Sequence, residues 1–262
     1  DIAPEGASAS GPEQTELVKN IPIWGPGGVL TYWPGDIVFA GDNSAAFIAT
    51  KEGIAVIDML MLRQFDVNPD DTGMSLIKVP GGEVGKLTLS GDGNFLYAAG
   101  AGKVHVIDLR PGSSTYLKGE QISLPIPADA VAAMQGKIND LELSSDGKKL
   151  YVAVPFSGMF GKDGWARSRS TAPQGKIYVI NVDPSDRGKP TFHKVIKTLD
   201  AGLDPYDIDA SSDPNRLVFV SRGDYLSGFY TIQVTSDDPE NYAATVTKIP
   251  ALTDKADDTR QP

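Results

Sequence analysis

The sequence predicts an all-β fold, a β-propeller of four-stranded antiparallel blades with about four blades and one extra strand present. Three observations predict it. A short pattern of strands and turns recurs along the 262 residues. The first three turns carry Asp followed by Gly or Asn, and 28 Gly and 19 Pro punctuate the chain, as many short strands require. Repeated units of four antiparallel strands are typical of propeller blades.

The repeated unit is a hairpin built around an aspartate turn. The turn aspartates are Asp42, Asp92, Asp146 and Asp213, spaced 50 to 67 residues apart. Asp-Gly or Asp-Asn supplies the positive φ of a tight turn, and apolar or β-branched runs flank it. We therefore expect a second strand of each unit at 45–49, 95–99, 150–154 and 217–220, and a third at 54–58, 103–108, 175–182 and 229–234.

Two further strands complete each unit. We expect a first strand at 36–40, 85–90, 138–144 and 206–210, and a fourth at 76–79, 120–124, 192–199 and 245–249. These strands predict blades at approximately 36–80, 83–127, 137–200 and 204–250, inside a propeller region 16–252 that begins with an extra strand at 16–21. Residues 1–15 and 253–262 are rich in Ala, Ser, Gly, Pro and charge, so we expect a flexible N-terminal linker and a C-terminal tail.

The number of blades raises the question of how the ring closes. Four blades are few for a closed propeller, although four-bladed propellers exist. An open sheet edge is an aggregation hazard, so something should cover it. We expect a larger propeller, completed by the remaining blades of a longer chain or by a second copy; a self-closed four-blade ring is the alternative. The first residue is Asp rather than Met, which suggests a mature or excised product.

Composition excludes several partners and sites. A net charge of −10 and a pI of about 4.7 argue against a nucleic-acid partner, because phosphate neutralisation needs clustered Lys and Arg. The absence of Cys excludes disulfides and thiolate metal sites. His105 and His193 both fall in strand-like runs, where we expect a structural role. No apolar run is long enough to predict a transmembrane segment.

The third unit resembles the YVTN-type propeller repeat. The resemblance is carried by residues 143–153 (LSSDGKKLYVA) and 176–181 (KIYVIN), and the second unit resembles the repeat nearly as well. This resemblance implies blade architecture and is nearly silent on function. The superfamily includes bacterial and archaeal surface proteins, 6-phosphogluconolactonase-like enzymes and haem-containing reductase domains, so the fold alone does not choose among them.

Candidate ligand-binding residues lie on one predicted face of the propeller. The loops between second and third strands emerge there together with the connections between blades. In the third unit this loop, at 155–174, is 19 residues longer than in the first two units. Its aromatic and basic side chains either fold back to plug the propeller or form a recognition loop. The expected ligand-binding residues across this face are Trp33, Phe160, Trp165, Arg167, Tyr206, Arg222, Asp224 and Tyr225.

Motifs for catalysis or metal binding are weak. The sequence has no Gly-x-Ser-x-Gly elbow, no Gly-rich phosphate loop and no His-Glu-x-x-His pair. A lactonase-like site would need carboxylates that converge with an arginine, and the set available for it is Asp204, Asp207, Asp224 and Arg222. The Asp pairs at 70–71, 237–238 and 257–258 match no preformed calcium loop, so we expect no cofactor, with Ca²⁺ as the alternative.

These observations favour a non-catalytic extracellular scaffold that binds protein or glycan through its loop face, for recognition or adhesion. Two alternatives remain open. One is a lactonase-like or other hydrolytic propeller enzyme, and the other is an assembly module that pairs through sheet edges. The expected location is extracellular, at the cell surface or periplasmic, in a bacterium.

Overall fold

A computed structural model describes residues 20–25, 27–28, 34–70, 73–126, 137–155, 175–222 and 227–250. In these residues, sixteen β-strands form four separate sheets, each with four antiparallel strands in chain order. The helical structure within the described ranges is one 3₁₀ turn at Pro184–Asp186. The predicted all-β fold of four-stranded antiparallel blades is therefore confirmed.

The sheets are numbered here as blades 1 to 4. Blade 1 contains β1 (Ile37–Phe39), β2 (Ala45–Ala49), β3 (Ile54–Asp58) and β4 (Arg63–Phe65). Blade 2 contains β5 (Lys86–Leu89), β6 (Phe95–Gly100), β7 (Lys103–Asp108) and β8 (Gly119–Ser123). Blade 3 contains β9 (Asp140–Leu143), β10 (Lys149–Val154), β11 (Lys176–Asn181) and β12 (Lys194–Asp200). Blade 4 contains β13 (Asp204–Ala210), β14 (Arg216–Arg222), β15 (Gly228–Ser236) and β16 (Ala243–Lys248).

The aspartate turns join the first and second strands of every blade. The carboxylate of each turn aspartate accepts the backbone N–H two residues later, at 2.9 to 3.1 Å. Asn43, Gly93 and Gly147 follow the aspartates of the first three turns and have φ between +57° and +70°. These residue types tolerate a left-handed backbone, so the turn chemistry expected from the sequence is present.

The fourth strand of blade 1 is not where the sequence placed it. The expected strand at 76–79 is replaced by β4, whose Phe65 pairs with Val56 of β3. Ile77 instead forms a single antiparallel bridge to Ile54 and is buried in the cluster between blades 1 and 2. The apolar run at 76–79 is therefore buried between two blades and is not a strand of a sheet.

Apolar clusters fill the three spaces between consecutive blades. Members of these clusters from facing blades include Phe47 and Leu96, Val106 and Val152, and Tyr151 and Phe219. The second strands β6 and β10 of the two middle blades are buried over their whole length. The first strands β1, β5, β9 and β13 contact one another in sequence, so they lie innermost and the fourth strands lie outermost.

Two tyrosines on equivalent positions link neighbouring blades near the start of a fourth strand. Tyr97 and Tyr151 each lie five residues after a turn aspartate. The Tyr97 hydroxyl lies 3.2 Å from Nε2 of His193 in blade 3. The Tyr151 hydroxyl lies 2.9 Å from the hydroxyl of Tyr242 in blade 4. The polar ends of both buried rings are therefore satisfied across a blade boundary.

Two sequence predictions lie outside the described residues, wholly or in large part. They are the extra strand at 16–21 and the long loop at 155–174 of the third unit.

We expect Tyr151→Phe to lower the free energy of unfolding by about 1–3 kcal/mol, because it leaves the buried Tyr242 hydroxyl without its partner. Tyr178→Phe is the matched control, because Tyr178 is buried in the same blade. Burial is the cause that raises the pKa of its hydroxyl, and no hydrogen bond contributes. Chemical denaturation of the two variants and the wild type measures the difference. Equal losses in both variants would contradict the inter-blade role.

Candidate functional site

One position of the repeat places four ionisable side chains around the inside of the blades. The residue six places before the turn aspartate is Asp36, Lys86, Asp140 and Asp207 in blades 1 to 4. We call this set the axial column. Each member lies on or beside an innermost strand, and Lys86 is attracted by all three carboxylates; we call the space between these strands the channel.

The axial column joins each blade to the next. Asp36 accepts the backbone N–H of Leu87 in blade 2 at 2.9 Å, and Asp140 accepts that of Ile208 in blade 4 at 2.8 Å. Lys86 has no acceptor atom on its side chain, and its ammonium lies 3.3 Å from Oδ1 of Asp140 instead. The boundary between blades 2 and 3 is therefore joined by an ion pair.

The lysine in this acidic column is held in its charged form. Burial disfavours the charge, but attraction from Asp140, Asp36 and Asp207 outweighs it and raises the pKa of Lys86. Burial also raises the pKa of Asp140, and the N–H of Ile208 and the Lys86 ammonium offset only part of that effect. The axial column thus contains a fixed positive charge beside a carboxylate that is costly to ionise.

A cleft of about 440 Å³ opens beside Lys86, where blades 2, 3 and 4 meet. Lys86 and Asn139 line it together with the exposed carboxylate of Glu83, and Tyr206 closes the blade 4 side. The blade 2 side is largely backbone. A Cβ at Gly100 would lie 2.2 Å from the carbonyl oxygen of Glu83, so that position has no room for any side chain.

A β-bulge orients the aromatic side of the cleft. The register between β13 and β14 shifts between Pro205 and Asp207, which leaves Tyr206 outside the regular pairing. The Arg222 guanidinium carbon lies 3.5 Å from the centre of the Tyr206 ring. Nε and an Nη of Arg222 both lie 2.8 Å from Oδ2 of the buried Asp204. Arg222 is thereby fixed on two sides, with its outer face half exposed.

Asn139 has an acceptor that nothing in the described residues satisfies. Its Nδ2 donates to Oδ1 of Asp204 at 2.6 Å and to the carbonyl oxygen of Pro205 at 2.7 Å, which defines the orientation of the amide. The side-chain carbonyl oxygen is buried and has no hydrogen-bond partner. Such an orphaned buried acceptor costs free energy in the folded state.

Glu142 lies further along the channel, on the same innermost strand as Asp140. Burial, with repulsion from Asp140, Asp209 and Asp207, raises the pKa of Glu142 to about 7. The backbone N–H of Ala210 opposes the rise but does not cancel it. Glu142 is therefore costlier to ionise here than in water.

Two of the eight ligand-binding residues predicted from the sequence lie in the described ranges. Tyr206 and Arg222 are in contact, and Tyr206 lines the cleft. The other six residues, Trp33, Phe160, Trp165, Arg167, Asp224 and Tyr225, lie outside the described residues. The acidic set expected to converge is divided: Asp204 is buried against Arg222, while Asp207 belongs to the axial column.

Sequence reasoning missed Lys86, Asn139 and Glu83. A signal for Lys86 was present: when the four turns are aligned, the second unit has lysine where the other three units have aspartate. No comparable signal marks Asn139, whose importance comes from the fold placing it against Asp204 in another blade. Glu83 belongs to the irregular connection before β5 and follows no periodic pattern.

Metal ligands do not converge in the part of the chain that the structure describes: no group of three or more His, Cys, Asp or Glu side chains could hold an ion there. Ca²⁺ at the Asp-rich turns stays a prediction. The described ranges also contain no helix long and apolar enough to cross a membrane.

Known structures resemble this chain in fold. A candidate 6-phosphogluconolactonase from Bacteroides uniformis is 20% identical over 81% of this chain, with a TM-score of 0.52. A second candidate, from Bacteroides fragilis, is 13% identical over 87%, with a TM-score of 0.54. The periplasmic gluconolactonase of Pseudomonas aeruginosa is 16% identical over 83%, also with a TM-score of 0.54. The chain covers 54%, 59% and 57% of these three structures, respectively.

At this level of identity the likeness shows the fold. No protein-family model matches the chain, and no curated protein matches it. The YVTN repeat therefore stays a resemblance. The expectation of a non-catalytic adhesion scaffold at the cell surface is wrong, because the similar structures are named as lactonases and favour the enzyme alternative. The absence of catalytic motifs does not exclude an enzyme, since side chains that converge from separate blades need no sequence motif.

We expect the free energy of unfolding to fall as the pH rises from about 4.5 to about 7, by at most about 3 kcal/mol from Glu142. The raised pKa means that the folded state binds a proton more tightly than the unfolded state. The stabilisation is therefore fully present below about pH 4.5 and is lost as the pH rises through about 7. Glu142→Gln should remove this slope and be more stable than wild type at pH 8. Urea titrations at each pH measure the free energy of unfolding, and Glu52→Gln, in the exposed β2–β3 turn, is the control. If the free energy of unfolding of Glu142→Gln depends on pH as it does in the wild type, the assignment to Glu142 is contradicted.

Proposed function

We propose that this chain hydrolyses a polyhydroxylated lactone, a cyclic ester of a sugar acid, in the cleft beside Lys86. The observation that carries the proposal is that one cleft is lined by Lys86, a fixed ammonium, and by Asn139, whose buried amide oxygen has no partner among the described residues. The fold shared with propeller lactonases supports it. Because the chain covers less than two thirds of those structures, the activity of the whole protein is part of the proposal.

Lys86 is the group we assign to the carbonyl oxygen. In lactone hydrolysis, water adds to the carbonyl carbon, the bond from that carbon to the ring oxygen breaks, and the ring oxygen leaves as a hydroxyl after gaining a proton. Negative charge develops on the carbonyl oxygen before the ring opens. An ammonium already held in place by Asp140 stabilises that charge without reorganising first.

Glu83 is the group we assign to the attacking water. Its carboxylate is exposed and lines the same cleft as Lys86. A carboxylate there accepts the proton that water loses as it adds to the carbonyl carbon, and the same proton is then available to the leaving ring oxygen. Asp140 is less suited to this role, because it already accepts from Ile208 and pairs with Lys86.

Asn139 and Tyr206 are assigned to recognition. We assign the orphaned oxygen of Asn139 to a sugar hydroxyl. Because the oxygen is buried, the contact needs the cleft wall to adjust on binding, and it then removes the cost of an unpaired acceptor. The Tyr206 ring provides an apolar surface for the C–H face of the substrate, and the Arg222 guanidinium stacks on the ring. The site is therefore suited to a hydroxylated ring rather than to a simple alkyl ester.

We also propose a location outside the cytoplasm, in the periplasm. Support comes from the named periplasmic location of the similar Pseudomonas aeruginosa enzyme. Fractionation of the source cells with an antibody to the chain tests this location, and recovery with cytoplasmic markers would contradict it.

The activity test uses glucono-δ-lactone and its 6-phosphate, with acid release followed by a pH indicator above the spontaneous rate. We expect Lys86→Met to lower kcat/KM by about 100-fold or more, the scale of losing one group that stabilises a developing oxyanion. Asn139→Leu should raise KM more than it lowers kcat, because it removes a contact to a substrate hydroxyl.

The matched control is Lys103→Met, in the same blade, whose ammonium bonds Gln121 at 2.8 Å on the surface. It should retain wild-type kinetics. Thermal unfolding of each variant separates a catalytic defect from a folding defect, since Lys86 also pairs with Asp140. Wild-type protein that opens neither lactone faster than the spontaneous reaction would contradict the proposal, as would equal losses in Lys86→Met and Lys103→Met.

A further inference from the structure

A second cavity, of about 310 Å³, lies between blades 2 and 3. Its lining includes Phe95 at the start of β6, Asp108 at the end of β7 and Lys194 at the start of β12. These strand ends lie beside the aspartate turns, whereas Lys86 and Gly100, which line the first cleft, lie at the other end of the strands. Apolar clusters cover blades 2 and 3 on both faces, so this cavity does not depend on the outer faces of blades 1 and 4.

Aromatic rings form one wall of the cavity. The His193 ring stacks on the Phe192 ring, with 3.9 Å between their centres and 24° between their planes. The ring of Phe95 meets His193 edge-on, at 5.2 Å between centres. The hydroxyl of the buried Tyr97 lies 3.2 Å from Nε2 of His193. Because these contacts hold the imidazole in one orientation, the wall is already formed before a ligand arrives.

His193 departs from the repeat at a position where the backbone is unchanged. Leu117 lies just before the fourth strand of blade 2, as His193 does in blade 3, and φ is +56° at both residues. Both backbone N–H groups bond the carbonyl oxygen of the last residue of the third strand, Asp108 at 2.7 Å and Asn181 at 2.8 Å. An imidazole thus lines the cavity where the same position in blade 2 carries an alkyl side chain.

The imidazole offers a polar atom to the cavity. Its Nδ1 has no hydrogen-bond partner among the described residues. Burial, with repulsion from Arg187 and Lys194, lowers the pKa of His193 to about 4, so the ring is neutral at pH 7. When the Tyr97 hydroxyl donates to Nε2, the single proton of the neutral ring is on Nδ1, which is then a hydrogen-bond donor.

The charged groups of the lining leave an excess of positive charge. Arg110 and Asp108 neutralise each other, because Nε and an Nη of Arg110 lie 2.8 and 2.7 Å from the Asp108 carboxylate. The other charged side chains of the lining are Lys118, Lys194 and Glu120, and all three are exposed. Two ammonium groups against one carboxylate favour a ligand with negative charge, although the net charge of the chain is −10.

We propose that this cavity binds a small planar organic anion, an aromatic ring that carries a carboxylate. The ring packs on the wall formed by Phe192 and His193, in the offset or edge-on arrangement that aromatic pairs prefer. The carboxylate accepts charge-assisted hydrogen bonds from Lys118 and Lys194. A volume of about 310 Å³ is at the small end of the range for ligand sites, which suits a single ring. The cavity is separate from the cleft beside Lys86, so its test is independent of the proposed activity.

The chain contains only two histidines, which allows the site to be tested by NMR. Long-range proton–nitrogen spectra of the isotope-labelled chain show each imidazole separately, and His193→Gln assigns them. The probe is benzoate. We expect the His193 signals to shift until the site is saturated, while those of His105 stay fixed, because His105 is 1% exposed and is not part of the lining.

Two further probes separate the contributions of the ring and of the charge. Acetate has the carboxylate without the ring, and benzyl alcohol has the ring without the charge. We expect benzoate to bind about tenfold more tightly than either probe, because each of them lacks one of the two contacts. Acetate that binds as tightly as benzoate would overturn the proposal, because the aromatic wall would then contribute nothing.

Substitution of the two lysines tests the charge. Lys118→Ala combined with Lys194→Ala should raise the Kd for benzoate by about tenfold, and both side chains are exposed, so the fold should be retained. The matched control combines Lys103→Ala with Lys197→Ala, which removes the same charge from the same two blades outside the lining. Glu120→Gln should lower the Kd by about twofold, because it removes the opposing carboxylate.

Three results would contradict this assignment. Benzoate could leave both imidazoles unchanged, or it could shift both to the same extent, which would show that no site lies beside His193. Equal benzoate affinities in the two double-lysine variants would show that the charge of the lining is not used. Each of these results would overturn the proposal.

Discussion

Mutual burial of blade faces is the constraint on which the rest of this structure depends. A four-stranded sheet has two faces, and in the middle blades both faces are covered by neighbouring sheets through apolar clusters. Burial of apolar surface drives this packing and requires no direct hydrogen bond between sheets. The polar links across the blade boundaries, Tyr97 to His193 and Tyr151 to Tyr242, then select one arrangement of the packed blades.

Small departures from the repeat create the candidate site. The residue before each axial position is Gly35, Gly85, Asn139 and Tyr206 in the four blades. Gly85 leaves space on the blade 2 side of the cleft, while Asn139 and Tyr206 extend into its lining from blades 3 and 4. The axial position itself changes from Asp to Lys in blade 2. A repeated backbone thus holds a non-repeated set of side chains, which is how one blade type supports specific chemistry.

Electrostatics along the channel opposes stability. Asp140, Asp207 and Asp209 each repel the ionised Glu142, whereas Lys86 attracts Asp140. An apolar or uncharged channel would cost less, so the retained charges are consistent with a site whose task is binding or catalysis. Buried carboxylates that stay close to a fixed cation are common where proton transfer and oxyanion stabilisation occur together.

Local chemistry determined the strands and turns of this protein, because an aspartate turn needs particular residues within a few positions and the strands beside it follow from apolar runs. The prediction of a strand at 76–79 was wrong, because an apolar run indicates burial but does not distinguish a strand within a sheet from a segment packed between two blades. Tyr206 and Arg222 were marked by their loop position, but their contact, and the link from Asn139 to Asp204, needed the fold. Those contacts join residues of different strands or blades, so only the tertiary structure decided them: their distances depend on how the sheets pack, and no local pattern encodes that packing.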